Sequence, residues 1–269
     1  MTAASTFTAS TGGGYELQMG RWSRRLAVPF LAFAGTASGE RVLDVGCGTG
    51  SLTILLSERP DLQAVCGIDC ALPYIEHAAR SNADPRVSFG IGDACALPFD
   101  DGAFDRVLSL LMLHFVSRPD LAVSEMRRVV RPGATVAAAV WDARGGFVAS
   151  RLFLDTAAVL DPAAGLLRAR SFTRPMTRPG ELEATWRQAG LANVESAELA
   201  IRMEFASFDD YWSPYTGKDG PGAAYVATLN EEARMRLRDA VRSAYLDGDV
   251  DGPRSYVAVA RAVKGIAAS

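Results

Sequence analysis

Histidine is scarce here, two in 269 residues, and the four cysteines stand at 47, 66, 70 and 95. There is no H-x-x-x-H or C-x-x-C spacing, so a zinc site is not expected. Cys66-x-x-x-Cys70 lacks the third thiolate that an iron–sulfur cluster of that spacing would need, and it straddles a predicted strand end. Unpaired thiols of this kind are expected in a cytoplasmic protein. Cationic excess is missing too: Lys and Arg total 28 against 31 Asp and Glu, a net charge of -3. A nucleic-acid reader usually carries a basic stripe. Only Arg21-Trp22-Ser23-Arg24-Arg25 and Arg127-Arg128 cluster here, so no nucleic-acid partner is expected. No apolar run is long enough to span a bilayer. Residues 1–14 are rich in Thr, Ser, Gly and Ala, with neither a basic nor an apolar region. They read as a mobile tail rather than a secretory signal.

The chain does have an ordinary globular composition, 49% hydrophobic and 22% charged. Its organising stretch is Arg41-Val42-Leu43-Asp44-Val45-Gly46-Cys47-Gly48-Thr49-Gly50. Val42 to Val45 reads as a buried parallel strand. Three glycines at alternate positions then allow a tight turn, with no side chain holding a ligand off the backbone. Ser51 to Leu56 reads as the helix behind it. A dinucleotide site would want G-x-G-x-x-G and a pyrophosphate on the helix N-terminus. The spacing here is G-x-G-x-G.

This stretch resembles motif I of the class I S-adenosylmethionine methyltransferases. The resemblance implies that Gly46, Cys47 and Gly48 face the cofactor. Asp69 ends a second strand, 63–69, at the offset where an acidic residue accepts from ribose hydroxyls, although it also stands where it would cap the next helix. Cys70 follows it. Gly92-Asp93-Ala94, after a third strand, is similar to the family's adenine motif, implying roles for the Asp93 carboxylate and the Ala94 N–H. Phe104 to Leu110, a fourth strand, resembles motif IV, which implies Leu110 and Leu111 beneath the methionine half. Tyr15-x-x-x-Met19-Gly20-Arg21-Trp22 is similar to the N-terminal signature of one bacterial branch. It implies a lid over 15–35, with Tyr15 and Arg21 at the cofactor or packing only.

His114, a few residues past the fourth strand, is the candidate general base, because His titrates near neutral pH. The competing reading is a packed or capping histidine. The fold expected is α/β, a seven-stranded doubly wound Rossmann-like methyltransferase sheet with its last strand antiparallel. Further strands are predicted at 134–141, 197–205 and 255–264. Helices are predicted at 147–160, at 181–189 and at 230–245, and a Pro/Arg-rich connection follows the first of these. Residues 15–269 form one domain, and the insertions 142–180 and 206–253 are expected to cover the acceptor side. Phe208, Tyr211, Trp212 and Tyr215, with a glycine-rich stretch at 217–222, suggest a mobile aromatic cover, or simply rings packed on the sheet.

The motifs together resemble the small-molecule group of that family, the type 11, ubiquinone- and menaquinone-biosynthesis-like branch. What the resemblance implies is methyl transfer from S-adenosylmethionine to a small, partly apolar or aromatic acceptor. The alternatives are a cofactor-binding protein of the same fold with no or different catalysis, an RNA methyltransferase, or an NAD-dependent oxidoreductase.

Overall fold

The structure, a computed structural model, describes residues 11–268. Most of the predicted tail, 1–10, lies outside the described residues. Its last part is not a tail: Gly12–Tyr15 is a short helix, α1, and Gly12 packs against the His77 side chain, leaving no room for a Cβ. A π-helical turn, Glu16–Gly20, leads into α2, Arg21–Ala34. Pro29 lies inside α2 without ending it.

Strand β1 is Arg41–Val45, followed by α3 (Ser51–Ser57), β2 (Ala64–Asp69), α4 (Leu72–Arg80), β3 (Val87–Ile91) and β4 (Phe104–Leu110). Then come α5 (Pro119–Val129), β5 (Val130–Trp141), α6 (Val148–Leu160), α7 (Pro162–Phe172), α8 (Glu181–Gln188) and β6 (Leu191–Phe205). The chain finishes with α9 (Phe208–Trp212), α10 (Gly220–Ala227), α11 (Glu231–Leu246) and β7 (Arg254–Ala267). The strands form one seven-stranded sheet in the order β3-β2-β1-β4-β5-β7-β6. β1 to β5 pair in parallel, and β7 runs antiparallel to both β5 and β6.

Strand residues alternate between two cores. Val42, Leu108, Ala137 and Ala139 join Leu26 and Phe30 of α2, Leu52 of α3 and Phe153 of α6 on one face. Leu43, Val107, Val136 and Ala138 join Val123 and Met126 of α5 and Trp186 of α8 on the other. That alternation is the period-2 pattern of a strand buried on both faces. Each fully buried side chain of this size contributes about 1.5–3 kcal/mol. Trp186 also donates its indole N–H to the Val136 carbonyl at 3.0 Å, fixing α8 against β5.

Three expectations need correction. The predicted Pro/Arg-rich connection contains a helix, α7, because Asp161 accepts from Ala163 N–H at 2.9 Å as an N-cap and Pro162 takes the first helical position. β5 starts at Val130, before Pro132-Gly133, and its pairing with β4 shifts register between Phe104 and Arg106. The glycine-rich stretch around 217–222 is not an open cover: Gly220 begins α10, and Gly220 and Gly222 are buried.

Candidate active site

At the carboxyl ends of β1 to β5 lies a cavity of 230 Å³. Open parallel sheets bind ligands at this edge, where the strand order reverses. Here the reversal falls between β1 and β4.

The turn after β1 forms one wall. Gly46 has φ +74° and donates to the Ile68 carbonyl at 2.8 Å. A Cβ on Gly46 would collide with the Met112 side chain, so only glycine fits. Gly48, with φ +55°, has open space where a Cβ would project. Both line the cavity. Cys47 does not: it is buried, with its thiol toward the Gly48 carbonyl, and burial pushes that thiol well above its usual range.

Asp69 lines the cavity at the end of β2. One carboxylate oxygen accepts from Gly48 N–H at 2.9 Å and the other from Ala71 N–H at 2.9 Å. It therefore ties the glycine turn to the start of α4, and each oxygen keeps a lone pair for a ligand. Burial raises its carboxyl pKa, and the backbone donors of Ala71 and Gly48 oppose that. Cys70, Asp93 and Ala94 also line the cavity. Asp93 accepts from Cys95 N–H at 2.8 Å, and Cys95 turns its sulfur to the Arg118 carbonyl.

From β4 come Leu110 and Leu111. Leu111 has φ +64°, a left-handed conformation that costs a branched residue about 1–3 kcal/mol. Its N–H is held by the Ala139 carbonyl at 2.8 Å. Three residues later His114 lines the cavity from the turn Leu113–Phe115. It is 3% exposed, and its Nδ1 has no partner among the described residues. Burial first, and the nearby Arg174 cation second, hold it well below the usual histidine range. The imidazole is therefore neutral near pH 7.

The N-terminal segment closes one side. Tyr15 lines the cavity, its ring centroid 5.3 Å from that of Tyr74 and its hydroxyl 3.0 Å from the Ser23 hydroxyl. Thr49 donates to Glu16 at 2.6 Å, joining this segment to the glycine turn. Arg21, expected at the cofactor or in packing, does not line the cavity. Its guanidinium pairs with Asp210 at 3.0 Å and lies 4.2 Å from the Trp22 ring centroid, pinning α9 to α2. Trp22, 3% exposed, does reach the cavity wall.

The far end is aromatic. Trp141, Phe147, Phe153, Tyr211 and Tyr215 contribute to it. Phe153 and Tyr215 stack with centroids 3.8 Å apart. Phe208 and Trp212 pack behind, stacked at 6.0 Å, so within the aromatic group Tyr211 and Tyr215 meet the cavity and the other two support them. Sequence reading missed Trp141, Phe153 and Arg174. The only advance signal was that Trp141 ends a strand at the ligand-binding edge. Among the described residues no three His, Cys, Asp or Glu side chains converge as a metal site, and no helix is long and apolar enough to cross a membrane.

Comparison with known proteins agrees with this geometry. Residues 43–138 match the family described as a methyltransferase domain. A demethylmenaquinone methyltransferase from Roseiflexus castenholzii is 42% identical over 108 residues, 40% of this chain and 45% of that protein. Ajmaline N-methyltransferase from Rauvolfia serpentina is 35% identical over 101 residues, 36% of this chain and 34% of that protein. The matched stretch thus spans less than half the length of these curated relatives. Phosphoethanolamine N-methyltransferase 2 from Haemonchus contortus, solved with S-adenosyl-L-methionine, shares the fold at a TM-score of 0.59 and 16% identity, over 96% of this chain and 57% of that one. Residues 43–138 are thus similar to the methyltransferase domain family, and they are set within a complete seven-stranded sheet.

Proposed function

We propose that this protein transfers a methyl group from S-adenosylmethionine to a small-molecule acceptor by in-line displacement. The observation that carries the reading is one partly open cavity whose lining combines two unlike sets of residues. Asp69, Asp93 and the open face of Gly48 make one set, and aromatic side chains with His114 make the other.

The residues fit the cofactor. Asp69 retains acceptor capacity for two vicinal hydroxyls. Asp93 and the Ala94 N–H suit an adenine edge, and Leu110 and Leu111 offer an apolar floor for the methionine portion. When bound, S-adenosylmethionine supplies a methyl group on a sulfonium that departs as a thioether without needing a proton. The protein's part is to align the acceptor and exclude water. A neutral His114 is able to accept a proton from an acceptor that must lose one. The segments 142–180 and 206–253 supply Phe147, Phe153, Tyr211 and Tyr215 and form the acceptor side, while 15–35 acts as the lid. A small, partly apolar acceptor suits such walls, whereas a nucleic acid would want a basic groove. A cytoplasmic location suits the four unpaired cysteines.

Calorimetry tests the reading. S-adenosylhomocysteine is expected to bind at micromolar affinity, and NAD not at all. Asp69→Ala is expected to cost about 1–3 kcal/mol of that affinity, because two hydroxyls lose a charged acceptor. Binding of NADH without S-adenosylhomocysteine would overturn it.

A further inference from the structure

Arg174 lines the cavity on the β4 side, near His114 and Phe115. Its guanidinium carbon lies 4.6 Å from the Phe115 ring centroid. Among the described residues no carboxylate pairs with it and no carbonyl accepts from its guanidinium. Other arginines differ. Arg21 pairs with Asp210, Arg118 with Asp120 and Arg151 with Asp155, and Arg144 donates to the Phe172 carbonyl. Of these arginines, the one in the cavity wall alone has neither an anion nor a carbonyl among the described residues. Burial alone acts on it, pushing the guanidinium down to about 10. A cation withdrawn from water is costly unless an anion compensates it. One ring face returns only part of that cost.

The cavity carboxylates do not compensate it. Asp69 and Asp93 stand at the ends of β2 and β3, across β1 from this point, and are held by backbone N–H groups of Gly48, Ala71 and Cys95. His114, with its unpartnered Nδ1, adds a neutral hydrogen-bonding group beside the cation. The cavity thus carries carboxylates at the ends of β2 and β3 and a cation on the β4 side, with the Phe115 ring against the cation and further aromatic side chains in the same lining.

Building on the donor-site reading above, we infer that Arg174 selects a small aromatic acceptor carrying an oxyanion, either a carboxylate or an ionised acidic hydroxyl, seated against the guanidinium. Arg174 is a specificity residue for the acceptor and does not hold the donor.

Calorimetry at pH 8 tests this with two matched pairs, benzoate against benzamide and 4-nitrophenol against nitrobenzene. Each is titrated into the protein with and without saturating S-adenosylhomocysteine. In at least one pair the anion is expected to bind tenfold or more tightly than its neutral partner, and the pair that responds identifies the oxyanion. Arg174→Gln should erase the preference and Arg174→Lys should keep part of it, because a point charge replaces the planar fork. S-adenosylhomocysteine affinity should stay within twofold of wild type in both variants. The inference is overturned if the neutral partners bind as well as the anions or if no anion binds. It is equally overturned if Arg174→Gln keeps the preference, or if that variant loses tenfold in S-adenosylhomocysteine affinity, which would assign Arg174 to the donor. Absence of S-adenosylhomocysteine binding in wild type speaks against the donor site alone, and the titrations without it still decide the role of Arg174.

Discussion

His114 sits 3% exposed beside a cation, and both conditions disfavour its protonation. With only two histidines in the chain, the imidazole resonances are easily assigned. In a titration followed by NMR, the His114 resonance is expected to remain that of the neutral ring well below the usual 6.5. A midpoint near that value would show the ring to be solvated. The linkage has a definite sign. The unfolded chain binds the proton and the folded one refuses it, so this residue lowers stability as pH falls below about 6.5. Gly46 offers a second test at this scale. Gly46→Ala puts a Cβ into Met112 at a positive φ, so a loss of about 1–3 kcal/mol is expected in denaturant unfolding. Gly46, Asp69 and Asp93 were legible in the sequence because a strand followed by a turn leaves few ways to arrange them. Arg174 was not: its importance lies in a partner it lacks, and a sequence does not show which arginines find carboxylates. The sequence left Arg21 open between cofactor and packing, and could not show its partner, Asp210, 189 positions away.

Between elements, Arg106 of β4 is a buried polar fastening. It donates to both oxygens of Glu40 at 2.7 and 2.8 Å and to the Ala34 carbonyl at the end of α2 at 2.9 Å. The two side chains are only 11% and 9% exposed, so solvent screens the pair little. Arg106→Met strands Glu40 and is expected to cost about 3–5 kcal/mol in denaturant unfolding, while adding Glu40→Gln should recover part of it. A loss under 1 kcal/mol in the single variant would show that α2 does not depend on this tie. Element types were readable wherever apolar spacing was regular, as in β1, α5 and β7. α7 was missed because the stretch after Leu160 was read by its Pro and Arg content as a connection, although Asp161-Pro162 is a helix start when the carboxylate caps. β6 begins six residues earlier than its alternation shows. Asn193 at φ +48° and a register shift between Ala192 and Glu195 interrupt the pattern there.

For the molecule as a whole, one buried acid sets much of the response to pH. Asp44, 1% exposed at the centre of β1, has its carboxyl pushed up to about 7 by burial, with the Thr53 hydroxyl at 2.7 Å offsetting part of that. The folded state holds this proton where the unfolded chain, titrating near 3.9, has lost it. Stability from this group is therefore fully present below about 4 and declines as pH rises to about 7. Asp44→Asn should flatten that decline in unfolding curves measured between those limits, and an unchanged slope would remove Asp44 as its source. Seven strands were legible from the βα rhythm, the antiparallel last strand followed from the family resemblance, and the order of the strands in the sheet was not read from the sequence. That the insertions would cover the ligand edge was expected, but which helix lines it was not: α6 supplies Phe153 to the cavity, whereas no α11 residue reaches it. The position of β7 has a consequence for synthesis. It lies between β5 and β6 and, among the described residues, is the only strand that β6 pairs with. From the time Phe205 is added until Arg254 follows, roughly 3–10 s at about 5–20 residues per second, a nascent chain carries β6 with no neighbour and β5 with an open edge. Such an edge is a template for pairing with another chain, so the hazard of misassembly on the ribosome is concentrated in the interval during which α9, α10 and α11 are being made.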